Sequence, residues 1–472
     1  MWKPFFAGPA AIILLMLALG ANPAPTLAQQ GPDCTILHET WDGGGVPIVN
    51  DATNSARYGQ IVDAILCANT YTGTRTPTLV LGDNVFLNDD AVSDPYPGTN
   101  GVNAFPALTG TLLFNGGGKN LGRSLNSTVD FRLFEVSSGA RLVLENITLS
   151  NGRLRAAGTL GGALWNAGTL ELREVGFLSN FAEGGGALAN AGGTVTSEKA
   201  FFQQNEAANQ GGAVANVSGE MTLSEAGFDN NTADAGGAID NGGTLTLTTV
   251  ALVSNRATVN SGGGILNTGE LTVVNSSVSG NNAAVAGGGI ANTGTAFSVV
   301  NSTVVANTNG GIFNGGTMNL ENSILANNIG EVDLANTGTV DTDSPNLVAD
   351  GSLTGATVLN VDPLLDMNLV PAANSPVLDG GDSLLVPSAL TSDLDGDTRV
   401  QGLSVDLGAQ ESSLTFSLAT GGYTPADVVY VANRVGLSPR SGREVAADLD
   451  NSNTIDEADV QAALDLLGTP AD

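Results

Sequence analysis

The chain has 472 residues, with 63 Gly, 5% aromatic and 13% charged side chains and a formal charge of −31. Lys stands only at positions 3, 119 and 199, which argues against nucleic acid or anionic membrane as partners, because both need clustered Lys or Arg. A hydrophobic fraction of 42% is too high for simple disorder, and the balance suits a soluble extracellular protein with carboxylates to spare for calcium.

Lys3 leads into the apolar run "AAIILLMLALGA" and then "NPAPTLA", with small residues at a cleavage point after Ala28. This predicts a secretory signal peptide over residues 1–28 and export, to the medium or the cell surface. The alternative is an uncleaved anchor, but the apolar run is short for a membrane span. No later stretch is expected to cross a bilayer as a helix. In an exported chain the isolated pair Cys34 and Cys67 favours a disulfide over a metal site, with two buried free thiols as the alternative. "YGQIVDAILCAN" (58–69) has helical spacing at Ile61, Ala64, Ile65 and Ala68, which predicts an N-terminal capping helix carrying Cys67.

A repeat of about 25 residues then dominates. Its stations run from "GGALWN" (161–166) through "GGALAN", "GGAVAN", "GGAIDN", "GGGILN" and "GGGIAN" to "NGGIFN" (309–314), ending at Asn166, Asn190, Asn216, Asn241, Asn267, Asn292 and Asn314. A second series in phase with it ends at Asn180, Asn205, Asn231, Asn255, Asn281, Asn307 and Asn327. Segments such as "TLTLTTV" between them alternate as strands do. Units this short cannot bury their own apolar faces, so stacking into a right-handed parallel β-helix, a solenoid, is predicted. Glycine pairs would permit the tight turns. The asparagines are expected to occupy the left-handed region at one corner and to stack their amides from coil to coil.

These paired GGA[I/L/V] and FxxN motifs, over about residues 161–327, resemble the repeats of polymorphic outer-membrane proteins. Phe gives way to Leu, Val or Ile in the later FxxN stations, and no C-terminal membrane β-barrel follows, so a surface autotransporter is not expected. "FRLFEVSSGARLVLENITLSNG" (131–152), "NSPVLDGGDS" (374–383) and "SDLDGDTRVQGLSVDLGAQE" (392–411) are similar to the first coils and closing segment of exported choice-of-anchor β-helix proteins. The resemblance implies a pectin lyase-like fold with residues 29–105 as cap and first coils, 106–411 as helix and closing segment, and an interchangeable anchor after them. The closing segment is expected to cover the far end of the rod, whose exposed edge would otherwise invite strand addition.

Enzymes of this shape need convergent groups. Lyases need Lys or Arg with calcium, and the repeats hold only Lys199, Arg173 and Arg256, at no common phase. Glycosidases need carboxylates about 5–10 Å apart, for which Asp229, Asp234 and Asp240 are the densest cluster. His38 lies outside the repeats, so no nucleophile–histidine arrangement is supported. "DLDGD" (393–397) lacks a carboxylate near position 12 and reads as a turn. No catalytic residue is assigned.

"DLDNSNTIDEAD" (448–459) puts oxygen ligands at the six positions of a 12-residue, EF-hand-like calcium loop: Asp448, Asp450, Ser452, Thr454 through its carbonyl, Asp456 and Asp459. Asp at position 12, followed by the helix "EADVQAALDLLG", resembles a dockerin half-repeat. "YTPADVVYVANRVG" (423–436) resembles the other dockerin helix, but Phe416, Leu418 and Thr420 replace the carboxylates of its loop. The resemblance implies a C-terminal α-helical dockerin-like module over 412–472 that holds one calcium ion and docks to a cohesin-like domain. The expectation is a non-catalytic β-helix scaffold for adhesion or for contact with a polysaccharide or cell-surface glycan. The alternative is a polysaccharide lyase or glycoside hydrolase delivered by the same module.

Overall fold

A computed structural model describes residues 32–412 apart from positions 52, 94, 342, 373, 374, 402 and 403, together with 449, 452, 454, 458, 459, 461 and 462. The expected signal peptide therefore lies outside the described residues, as does most of 412–472.

The chain forms a parallel β-solenoid. Pairing begins where Ile48–Val49 meets Thr78–Leu81, passes to Thr111–Arg123, and continues coil by coil to Val358–Leu359. Three long faces share one 27-stranded sheet. Face A has nine rungs from Phe134–Val136 to Leu334–Asn336 and carries the GGA-type stations. Face B runs through Thr244–Thr248 and Glu270–Val274, and face C through Gly227–Asp229 and Ala251–Val253. A short fourth wall stacks Phe181–Gly184, Glu206–Gln210, Thr232–Ala233, Arg256–Ala257 and Asn282–Ala283.

Alternation along each rung sorts the side chains. In Thr244–Thr248 Leu245 and Leu247 point inward while the threonines face out. Because the register is fixed, like stacks on like. The rings of Phe177, Phe202 and Phe228 lie 4.7 and 4.6 Å apart, tilted by only 1° and 4°.

Both asparagine series form continuous ladders inside the rod. From Asn166 to Asn336 each Nδ2 donates to the next Oδ1 at 2.7–3.0 Å. The second ladder runs from Asn180 to Asn307 and then to Asn328, not the expected Asn327. The reason is backbone geometry. The left-handed residue at this corner is the one before the ladder asparagine: Ser179, Gln204, Asn230, Ser254, Ala306 and Asn327 all have φ between 53° and 57°, and Gly280 has 64°. The ladder asparagines bond inward instead of bending the chain. A third stack, absent from the sequence reading, links Val250 N, Ser276, Ser302, Ser323 and Asn346 at the corner between faces B and C. Its trace in the sequence is the recurring "NS" at 275, 301 and 322.

Two helices precede the coils. α1 (Thr35–Asp42) is followed by α2 (Asn54–Ala68), which begins four residues before the expected segment. Thr53 caps α2 by accepting from Ala56 N at 3.2 Å. Ile61, Val62, Ala64, Ile65 and Ala68 are buried in the main core. Cys34 and Cys67 form a disulfide, Cα–Cα 5.3 Å. His38 sits there as a packing residue, 2.9 Å from the Cys67 carbonyl and between Trp41 and Tyr71.

The closing segment does not take the place expected of it. After Leu359 the chain runs back along the outside of face C: Asn275 donates to Ser392 O (3.1 Å), Gly408 N to Asn322 O (2.8 Å) and Ala409 N to Thr303 Oγ1 (2.9 Å). Outward positions on these rungs are apolar, so Val305, Ile324, Ala326, Leu347 and Leu359 need a cover. Val377 and Leu407 provide it and create a second core.

Candidate binding groove

The closing segment covers only the later rungs of face C and leaves a groove beside the earlier ones. One cleft of about 670 Å³ is lined by Phe201, Glu225, Gly227, Thr249 and Ala251 on the solenoid and by Ala389–Gly396 opposite. A second of about 720 Å³ is lined by Val253, Ser279 and Val305, and by Leu365–Val370 with Gln410. Leu394 and Asp395 line both.

Phe201 is the aromatic of this groove. Its neighbour Phe202 points into the stacked core, so alternation puts Phe201 outside, 58% exposed. In register it stands between Gly176 and Gly227. A Cβ at Gly227 would lie 3.1 Å from Phe201 Cδ1, so glycine there leaves the ring its room. Around it are hydroxyls (Ser224, Thr248, Thr249) and the carboxylates of Glu225 and Asp395. Such an amphipathic lining suits a polyhydroxylated ligand.

The wall opposite is held by a buried charged cluster. Arg399, 1% exposed, donates to Gly408 O at 2.6 Å and lies 3.2 Å from Glu411 Oε1. Asp379, Asp393, Asp406 and Glu411 surround it and accept backbone N–H bonds from Ser404, Glu411, Ser412 and Asp406 respectively. Asp393 also accepts from Asp395 N and Asp397 N, so "DLDGD" is a turn, as expected. Burial pushes the carboxyls of Asp406 and Glu411 up, because the low-dielectric interior penalises their charge more than Arg399 repays it.

The three aspartates of the densest repeat cluster are not brought together. Asp229 faces outward on face C beside Gln203 and Asn230, and Asp234 accepts from Thr258 at the fourth wall. Asp240 lies on face A, paired in register with Ala215 and Leu266. Burial alone raises Asp240 to about 6.

Of the calcium-loop positions, Asp448, Asp450 and Asp456 lie outside the described residues. Of the other three, Ser452 Oγ donates to Thr454 O at 2.8 Å, and buried Asp459 accepts from Leu449 N at 2.6 Å. Position 12 thus reaches back to position 2, and every donor in the set is oxygen, which fits a hard cation such as calcium. Among the described residues no helix is long and apolar enough to cross a membrane. No family model, curated protein or solved structure matches the chain.

Proposed function

We propose that the chain is an exported, non-catalytic scaffold whose solenoid contacts a glycan along the groove between face C and the closing segment. The observation that carries this reading is Phe201, an exposed ring given its room by Gly227 and surrounded by hydroxyls and carboxylates. A rigid wall of stacked rungs holds such a platform without an ordering penalty when ligand binds. The handedness of the coil is taken as right-handed, and α2 with its disulfide as the cap of the first coil. In this reading Asp448, Asp450, Ser452, the Thr454 carbonyl, Asp456 and Asp459 hold one calcium ion, and the dockerin-like module so ordered attaches the rod to a cohesin-like partner.

Affinity electrophoresis of the full exported chain over a panel of neutral polysaccharides tests the groove. Phe201→Ala is expected to weaken retention about tenfold, the range for a lost stacking contact, with an unchanged melting curve. Retention by no glycan, or equal retention of both proteins, overturns the reading. For calcium, titration calorimetry is expected to show one ion, abolished by Asp459→Ala.

A second reading rests on Asp240. A carboxyl raised to about 6 by burial is poised for proton transfer near neutral pH, as a glycosidase acid requires. Turnover of any polysaccharide that Asp240→Ala abolishes establishes this reading in place of the first.

A further inference from the structure

The cations of this acidic chain are few, and eight of the twelve described are paired with a carboxylate where they stand. Arg141 and Arg173 pair with Glu171 and Glu145, Arg57 with Asp83, and Arg132 and Arg399 with buried glutamates. Arg75, Lys119, Arg153 and Arg256 are the other four, and of these only Arg153 has a side-chain nitrogen buried without a partner. Among the described residues it has no ion pair, and its Nε is buried without a hydrogen-bond partner. Its guanidinium lies over the Phe181 ring, 5.5 Å from the centroid.

The coil register explains why it stays unpaired. Arg153 bridges in parallel to Phe181 on the next coil, and Phe181 pairs in turn with Glu206 on the one after. In this column the ring therefore stands between the Glu206 position and the guanidinium, while Glu183 on the same wall bonds Asn209 and Asp130 holds Arg155. Arg155, two residues on, is held by both oxygens of Asp130 at 2.9 and 3.1 Å. Arg123, 4% exposed, has its guanidinium taken up by the carbonyls of Ser124, Ser127 and Val129 and lies 4.0 Å from Asp130.

Arg123 and Arg153 line one cleft of about 270 Å³, together with Phe181, Glu206 and the neutral hydrogen-bonding groups of Asn151, Ser179 and Gln204. Asn151, Ser179 and Gln204 are the left-handed corner residues of three successive coils, so the fold itself sets them in one column beside the cleft. The volume lies just below the range of about 300 Å³ upward for drug-sized ligands, which suits one sugar residue rather than a chain. A guanidinium fixed on an aromatic face and ringed by amides and a hydroxyl matches an oxyanion on a sugar.

We propose that this cleft binds a single acidic sugar, recognised by a charge-assisted contact from Arg153 to its carboxylate or sulfate. The ligand is a largely neutral glycan with isolated acidic groups. A polyanion would meet the repulsion of a chain carrying −31 charges, whereas one oxyanion in the cleft lies beyond the screening distance of most of them, about 8 Å at physiological salt. This inference rests on the reading of the solenoid as a glycan-contacting surface and adds a second, charge-selective subsite on it.

The test uses the full exported chain with calcium chelated, so that no ion can bridge ligand carboxylates to the acidic surface. Three oligosaccharides that differ only at one end are titrated: terminal glucuronic acid, terminal glucose, and terminal 6-sulfated glucose. The acidic forms are expected to bind at least tenfold tighter than the glucose form, and Arg153→Gln to abolish that preference. Arg153→Lys should retain part of it, as a charge without the planar fork, and Arg155→Gln should retain all of it. The sulfated arm distinguishes the two oxyanions. Equal binding of the three sugars, or an acidic preference that survives Arg153→Gln in a folded protein, overturns the proposal while the glycan reading stands. Binding of none of the three here, and of no polysaccharide to the groove, removes both.

Discussion

Asn328 and Asn327 show how much one position matters in a stacked fold. Asn328 Nδ2 donates to Asp333 Oδ1 and Val304 O, and its Oδ1 receives both the backbone N–H and the side chain of Asn307. Removing it orphans several buried polar groups, each worth roughly 1–3 kcal/mol when left unsatisfied. Asn328→Ala is therefore expected to cost about 2–3 kcal/mol in urea unfolding. Asn327 is exposed and has φ 57°, so Asn327→Gly relieves a disfavoured backbone region and is expected to be neutral or slightly stabilising. A larger loss from the second variant than from the first would refute the assignment of the ladder to Asn328.

Among the elements, the closing segment is the one whose attachment depends on pH. Asp406 and Glu411 are raised by burial, each facing the other, with Arg399 between opposing effects and Asp379 and Asp393 adding further negative charge. A carboxyl raised in the folded state binds more protons there than in the unfolded chain. The stability it lends is complete below the ordinary carboxylate range of about 4 and declines as pH rises through neutrality. Hydrogen exchange of residues 375–412 is thus expected to quicken, beyond the intrinsic pH effect, between pH 5 and pH 9. Glu411→Gln keeps the shape without the charge and should flatten that dependence. A variant with the wild-type pH profile would show that Glu411 is not the group responsible. Since this segment forms one wall of the Phe201 groove, glycan retention should weaken over the same range.

For the whole molecule, each coil touches only its neighbours, so stability is a sum of local terms and the ends can open separately. The disulfide spans 33 residues of sequence, which by loop entropy stabilises its own region by about 3–4 kcal/mol. Reduction, or Cys34→Ser with Cys67→Ser, is expected to lower protection in α1, α2 and the strands at Ile48–Val49 and Thr78–Leu81. Exchange in rungs beyond about residue 200 should not change. A uniform loss of protection along the rod would mean that the chain unfolds as one cooperative unit.

The solenoid was legible from the residues because its physics is periodic: "GGAIDN" and "GGGILN" at a constant interval, with alternating segments between, leave stacking as the only way to bury Ile239, Leu245 and Ile265. The helix around Ile61 and Ile65, and a Cys34–Cys67 bond, were legible for the same local reasons. Lateral placement was not. Asp229, Asp234 and Asp240 are close in sequence yet fall on different walls, because a coil of about 25 residues turns through every direction. The closing segment's position along face C, and the Phe201 groove it creates, depend on outward apolar residues such as Val305 and Ile324 meeting Val377 and Leu407. No pattern within either segment encodes that meeting. Arg153 shows the same division: its charge is plain in the chain, but its place over Phe181, in the column that leads to Glu206, exists only once the coils are stacked.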